Sequence, residues 1–186
     1  MCARCGCPTA WPVPRCSECD GRRLAFAQAR AAVAYDESVR RIVAAWKERG
    51  LRRLAPWAAD VVVDVVPRPP ADSLAFVPPD ADRRLRRGHH AAEALAHELG
   101  RRWELPVERV LRRTRRARPQ RGLDHVERRR NVRGAFAASG RAPRSVVLVD
   151  DVYTTGATAN AAASALRREG TRRVDVVTFA RAIRHR

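Results

Sequence analysis

The chain has no apolar run approaching the ~20 residues that a membrane span needs. Its cysteine-rich start also lacks the hydrophobic stretch of a secretory signal. These absences predict a soluble, cytoplasmic protein with no membrane insertion. Lysine is almost missing, since Lys47 is the only one among 38 Lys and Arg residues. Aromatic residues make up 5% of the chain, which argues against a surface that holds nucleic-acid strands by stacking their bases. Two common phosphate-binding patterns are absent as well. There is no Gly-x-x-x-x-Gly-Lys loop and no Gly-x-Gly-x-x-Gly turn, so neither a P-loop nor a dinucleotide fingerprint is present.

Arginine is what the chain has in excess, and it brings the formal net charge to +18. A charge of that size points to a polyanionic partner, and arginine is the side chain best shaped for bidentate contact with phosphate. Pyrophosphate binding and nucleic-acid binding both stay open beside the blander alternative of a solvated basic surface. With 186 residues and 45% hydrophobic content, the chain can bury one ordinary domain and carry a small appendage.

The appendage is marked by cysteines. Cys2 and Cys5 form one C-x-x-C pair and Cys16 and Cys19 a second, with Gly6, Pro8, Pro12 and Pro14 between them. Four thiolates at this spacing can close a tetrahedral structural Zn²⁺ site, and a segment this short and turn-rich needs one to fold. Disulfides are the competing reading, disfavoured without a secretory signal. Cys7 is a spare thiol or an alternative ligand, and the paired spacing favours Cys2, Cys5, Cys16 and Cys19 as the metal set. A first ligand directly after Met1 is unusual and suggests a segment ahead of it. The expected division is 1–24 for this module and 25–186 for the main domain, with a helical part at 25–70 and a ligand-binding core at 71–186.

Along the main domain, Arg30 to Tyr35 reads as a strand and Asp36 as the N-cap of a helix. Val39, Ile42, Val43 and Trp46 in that helix share one face, and Gly50 stops it. Lys47 near its end is either a ligand contact or a solvated charge. A second helical segment spans Leu54 to Val66, and prolines follow. Leu74 to Val77 is a buried strand, succeeded by a basic loop with Arg83, Arg84 and Arg87 and by a helix from His89 to Trp103. His89 and His90 have no evident partner ligands. Val107 to Leu111 reads as a strand, and Arg112 to Gly122 as a mobile basic arm that orders over a polyanion. A short helix around Arg128 to Arg133 ends near Phe136, and Val174 to Ala180 is a final strand.

The most specific stretch is Val146 to Thr158. Its Val/Leu run reads as a strand buried on both faces that ends at Asp150 and Asp151. Thr154, Thr155, Gly156, Ala157 and Thr158 follow, ahead of an alanine-rich helix from Ala159 to Glu169. A polar loop entering a helix N-terminus is a phosphate cradle, and paired carboxylates before it can accept hydrogen bonds from sugar hydroxyls. A sugar phosphate satisfies both halves.

This motif resembles the phosphoribosyl pyrophosphate (PRPP) signature of type I phosphoribosyltransferases. The chain as a whole resembles the ComF family of competence-associated phosphoribosyltransferase-like proteins. Besides the loop, the resemblance rests on the four-Cys ribbon, Lys47 with Gly50, Arg87-Gly88, Pro119-Gln120, Arg129-Arg130-Asn131-Val132 and Gly134-Ala135-Phe136. His89-His90-Ala91 departs from the Phe-Asn-Gln frequent in the family.

The resemblance implies an α/β, type I phosphoribosyltransferase fold, a parallel sheet flanked by helices, with an N-terminal zinc ribbon. It implies that Asp150 and Asp151 hold the ribose hydroxyls and that Thr154 to Thr158 hold the 5′-phosphate. Arg83, Arg84 or Arg87 would face pyrophosphate, the basic arm would close over the site, and Mg²⁺ would arrive with PRPP. Asp150, Asp151 and Thr154 are the expected catalytic positions. Purine-salvage members of the fold carry an Asp where this chain has Thr154, whereas orotate-type enzymes carry Thr. Two functions follow: pentosyl transfer from PRPP to an acceptor base, or a noncatalytic accessory of DNA uptake or recombination that binds single-stranded DNA and senses PRPP or a nucleotide. Contact with competence machinery and homo-oligomerisation stay open.

Overall fold

Five strands, β1 (Gln28–Ala34), β2 (Ser73–Phe76), β3 (Val107–Glu108), β6 (Ser145–Tyr153) and β7 (Arg173–Arg181), form one sheet in the order β1-β7-β6-β2-β3. Every pairing in it is parallel. The computed structural model describes residues 1–79, 90–114, 134–140 and 142–183. Arg83, Arg84, Arg87, positions 115–122 of the basic arm and the short helix expected around 128–133 lie outside the described residues.

Helices α1 (Glu37–Glu48), α2 (Leu54–Val65), α3 (Ala91–Trp103) and α4 (Ala157–Arg168) cover the sheet. From β2 the chain runs through α3 to β3 on one side, and from β6 it runs through α4 to β7 on the other. Right-handed crossovers in opposite directions put α3 and α4 on opposite faces. Strand β6 therefore alternates between two cores. Val146 and Leu148 pack with the α4 side, and Val147 and Val149 pack with the side of α1, α2 and α3. All four are fully buried, which is why the stretch is apolar throughout rather than alternating.

The helix ends follow local chemistry. Val39 N–H donates to Asp36 Oδ1 at 2.8 Å, capping α1. Trp46 on α1 is fully buried and meets Phe179 of β7 edge-on, with ring centroids 6.2 Å apart. Expected from His89, α3 begins at Ala91 instead, because His90 is its cap. Glu93 N–H donates to His90 Nδ1 at 3.3 Å, and the imidazole packs beside Phe76. No helix among the described residues is long and apolar enough to cross a membrane.

Two expectations need correction. The strand expected over Val107 to Leu111 is two strands. After β3 the chain leaves the main sheet, and β4 (Leu111–Arg113) pairs antiparallel with β5 (Phe136–Ala138). Burial of Val110, Leu111, Ala135 and Phe136 in the α4-side core pulls it there. Arg112 and Arg113, assigned to the mobile arm, thus lie in a strand, and Phe136 begins one. The second correction is that β6 does not end at its acids. It continues to Tyr153 because β7 runs alongside, pairing Asp150 with Thr178 and Tyr153 with Arg181.

Candidate functional site

Unequal strand lengths open the site. On one edge β6 is paired with β7 along its whole length, whereas on the other its pairing with β2 stops at Phe76 opposite Val149. Val77 N–H still donates to the Val149 carbonyl at 3.0 Å. Beyond that point β6 projects past its neighbour, leaving a notch at the carboxyl end of the sheet. The notch lies between β2 and β6, where the crossovers diverge. That is the topological switch point at which open α/β sheets take their ligands.

Asp150 and Asp151 are the first residues of β6 inside the notch. Asp150 Oδ1 accepts the N–H of Asp151 at 2.9 Å. Burial, and then the adjacent Asp151 charge, push the Asp150 carboxyl up to about 7, against the pull of Lys47, the Asp151 N–H and Arg113. Asp151 is 9% exposed and forms an ion pair with Lys47, Oδ2 to Nζ 2.6 Å. Burial disfavours the Lys47 ammonium, but the charges of Asp151 and Asp150 outweigh it and hold the group above its ordinary value. Lys47 is therefore a charged member of the notch, placed there by α1 with Trp46 as its anchor.

The loop after β6 turns toward α4 at Gly156, whose φ is +70°. A Cβ at Gly156 would stand 2.1 Å from the Tyr153 hydroxyl oxygen, so no other residue fits this turn without displacing that ring. Thr155 Oγ1 accepts the N–H of Ala157 at 3.3 Å. The N–H groups of a first helical turn have no acceptor within the helix, and here the helix start shares a pocket with Asp150. Asp150, Thr154, Gly156, Ala157, Thr158 and Thr178 line one small pocket. The structure thus brings Asp150 together with the loop predicted to hold phosphate.

The sequence does not assign Thr178, leaves Lys47 open between contact and solvated charge, and places Arg113 only within the arm expected to close over the site. Thr178 of β7 joins the pocket wall, and nothing in its Val-rich strand distinguishes it in advance. Arg113 reaches the notch from β4. Its Nε donates to the carbonyl of Pro78 at 2.9 Å, and its guanidinium lies 4.7 Å from the Phe136 ring centre. Lys47 could be weighed as a contact, but only the packing of α1 decides it.

A second cluster lies at the N-terminus. The Sγ atoms of Cys2, Cys5, Cys16 and Cys19 all lie within 4.8 Å of one another, and the four residues are buried. A zinc tetrahedron with Zn–S bonds of about 2.3 Å has S–S edges of about 3.8 Å. The separations Cys5–Cys16, Cys2–Cys19 and Cys16–Cys19 are 3.5, 3.6 and 3.9 Å. The cysteines are free thiols rather than disulfides. Burial opposes ionisation of Cys2, but backbone N–H groups of Cys5 and Arg4 bring its thiol down to about 6. Burial raises Cys5 and Cys19, and a metal must offset that cost. These four side chains could hold a metal such as zinc. Cys7 is outside the group; its carbonyl accepts the N–H of Cys2 at 2.8 Å and its thiol is raised by burial.

The chain is similar to known proteins over its C-terminal part. The family described as the phosphoribosyl transferase domain matches residues 85–186, more than half of the chain. Competence protein F of Haemophilus influenzae is 37% identical over 105 residues, covering 54% of this chain and 46% of that protein. The chain thus spans about half the length of this curated relative. The crystal structure of TT1426 from Thermus thermophilus shares 20% identity, with a TM-score of 0.38, over 72% of this chain and 84% of that one. With the family's domain matched from residue 85 onward, and a parallel sheet flanked by helices carrying a strand, loop and helix at its switch point, the chain belongs to the phosphoribosyl transferase domain family.

Proposed function

We propose that the notch binds PRPP and that the protein transfers its ribose 5-phosphate to an acceptor base with release of pyrophosphate. The observation that carries this is the convergence of Asp150 and the Thr154–Thr158 loop on one pocket at the switch point. The 5′-phosphate takes the loop N–H groups and threonine hydroxyls, and the ribose hydroxyls donate to Asp150 and Asp151. In the transfer, the bond from the anomeric carbon to pyrophosphate breaks, with the electron pair leaving on oxygen. A bond from the same carbon to a base nitrogen forms, and that nitrogen loses its proton to solvent. Lys47 and Arg113 offer positive charge to the departing pyrophosphate, in addition to Arg83, Arg84 and Arg87 as further candidates.

Among the described residues no cluster of three or more carboxylates surrounds Asp150 and Asp151. That donor set suits a Mg²⁺ carried on PRPP oxygens and water rather than in a protein cage. When bound, the ion supplies neutralisation of the pyrophosphate charge. The test is calorimetric titration of PRPP with Mg²⁺ into wild type and Asp151→Asn. Binding in wild type, weakened at least ~10-fold in the variant by loss of a charged hydrogen-bond acceptor, is expected; no heat in wild type removes the ligand assignment. Release of pyrophosphate on adding nucleobases then tests transfer.

A second reading draws on the +18 charge and the likeness to Competence protein F. In it the chain is a noncatalytic accessory of DNA uptake or recombination that contacts single-stranded DNA through phosphates and senses PRPP or a nucleotide. It predicts oligonucleotide binding that falls steeply with salt. An oligonucleotide left unshifted at low salt defeats it.

A further inference from the structure

Arg181, the last residue of β7, is 4% exposed although it carries a permanent charge. Its Nη1 donates to the carbonyl of Cys5 at 2.5 Å, and its Nη2 lies 2.7 Å from Glu18 Oε2 and 3.7 Å from Cys5 Sγ. Its guanidinium carbon stands 4.6 Å from the centre of the Tyr153 ring. At the end of that ring, the Tyr153 hydroxyl occupies the space a Gly156 side chain would need. An unbroken line of contact therefore runs from Cys5 through Arg181 and Tyr153 to the turn of the 154–158 loop. A second tie joins the same regions, where Asn160 Oδ1 on α4 accepts the N–H of Ala25 at 2.7 Å.

The charge balance explains why the guanidinium is buried there. A divalent metal held by four thiolates carries a net charge of about −2, and a cation in its outer shell offsets it. A loaded cluster would fix Cys5, whose carbonyl and sulfur Arg181 contacts; with the metal removed those anchors are no longer held, and neither is the placement of the guanidinium over Tyr153.

We propose that Arg181 is a positioning residue that couples metal in the cysteine knuckle to the conformation of the 154–158 loop, so that the loop is set for a phosphate only while the knuckle is loaded. The ligand half of this rests on the phosphate reading of the loop; the structural coupling does not.

Amide hydrogen exchange on the full chain tests the coupling directly. Three forms are compared with zinc-loaded wild type: chelator-treated wild type, Arg181→Met, and Tyr153→Phe, which keeps the ring but removes the hydroxyl beside Gly156. Exchange at 154–158 is expected to rise about tenfold or more in each, with β2 and α3 unchanged and the zinc content of Tyr153→Phe at the wild-type level. Unchanged loop amides after chelation overturn the proposal. So does equal acceleration across β2 and α3, which would make the knuckle a support for the whole domain. Calorimetry with ribose 5-phosphate is the second arm. About tenfold weaker binding by Arg181→Met and by the chelated protein supports the coupling, and equal binding by all forms overturns it. If zinc-loaded wild type binds no ribose 5-phosphate while the loop amides still respond to chelation, the phosphate reading fails and the coupling stands.

Discussion

Cys5 and Cys16 lie 11 residues apart and bring their sulfurs to 3.5 Å, whereas Lys47 and Asp151 come from distant parts of the chain to meet at 2.6 Å. The cysteine knuckle is a local structure. Its shape comes from short-range turns, close spacing and four converging thiols that could hold a metal, and among the described residues its strand-type pairing is an isolated bridge between Cys2 and Val13. The notch is built the other way. Its acids and loop are contiguous, but the space they face exists because β2 stops where β6 and β7 continue. A local site depends on what it binds for its own order, while a site made by strand register is largely formed before anything binds. The two regions should therefore fail differently when perturbed.

Cys16→Ser is expected to have the largest effect. It removes one of four ligands, and structural zinc in small modules supplies on the order of 10 kcal/mol of binding free energy that doubles as folding free energy. Elemental analysis should show metal falling from about one equivalent toward none, and proteolysis should cut first within residues 1–24. Survival of a metal-loaded, protease-resistant knuckle would break the contrast.

Trp46→Ala comes next. The side chain is fully buried on α1 beside Phe179, so its loss should cost about 3–5 kcal/mol in urea unfolding. Because Lys47 follows it, ligand affinity should drop too while zinc content stays constant.

Asp150 gives a pH test of intermediate size. Its carboxyl sits near 7 in the folded protein and near 4 when unfolded. A folded value raised above the unfolded one means stability that is present below pH ~4 and lost as pH rises through ~7. Asp150→Asn should therefore stabilise the ligand-free protein at pH 8 by on the order of 2 kcal/mol and have little effect at pH 4. The same substitution should weaken ribose 5-phosphate binding. A gain in stability paired with a loss of binding marks a site poised for a ligand; thermal melting at the two pH values reads the first half.

Asp36→Ala should be smallest. Losing the cap on Val39 N–H costs about 1 kcal/mol. It should lower the melting temperature slightly and leave both the cysteine cluster and the notch acids in place.

Much of the fold was legible because its signals are periodic or compositional. The run Val146 to Val149 announced a strand buried on both faces, Asp36 announced a helix start, and the polar loop after the acids announced a helix N-terminus, which lies at Ala157 rather than at Ala159. The cysteine spacing foretold a four-sulfur cluster. What failed depended on partners. Whether β6 ends at Asp150 or at Tyr153 is decided by β7, and whether Leu111 to Arg113 is arm or strand is decided by β5. His90 as a cap rather than a helical residue needed the geometry of Glu93 N–H.

Within the site, the sequence alone determined which chemical groups are contiguous: two acids, three threonines, a glycine and a helix N-terminus. Contiguity survives folding, so those groups stay together under almost any topology. Only the tertiary structure decided that Lys47 neutralises Asp151, that Thr178 and Arg113 join the notch, and that Arg181 bridges the cysteines to Tyr153. Those contacts cross between elements far apart in the chain, and their residues carry no local signal because the partner that gives each its role is supplied by another strand or helix.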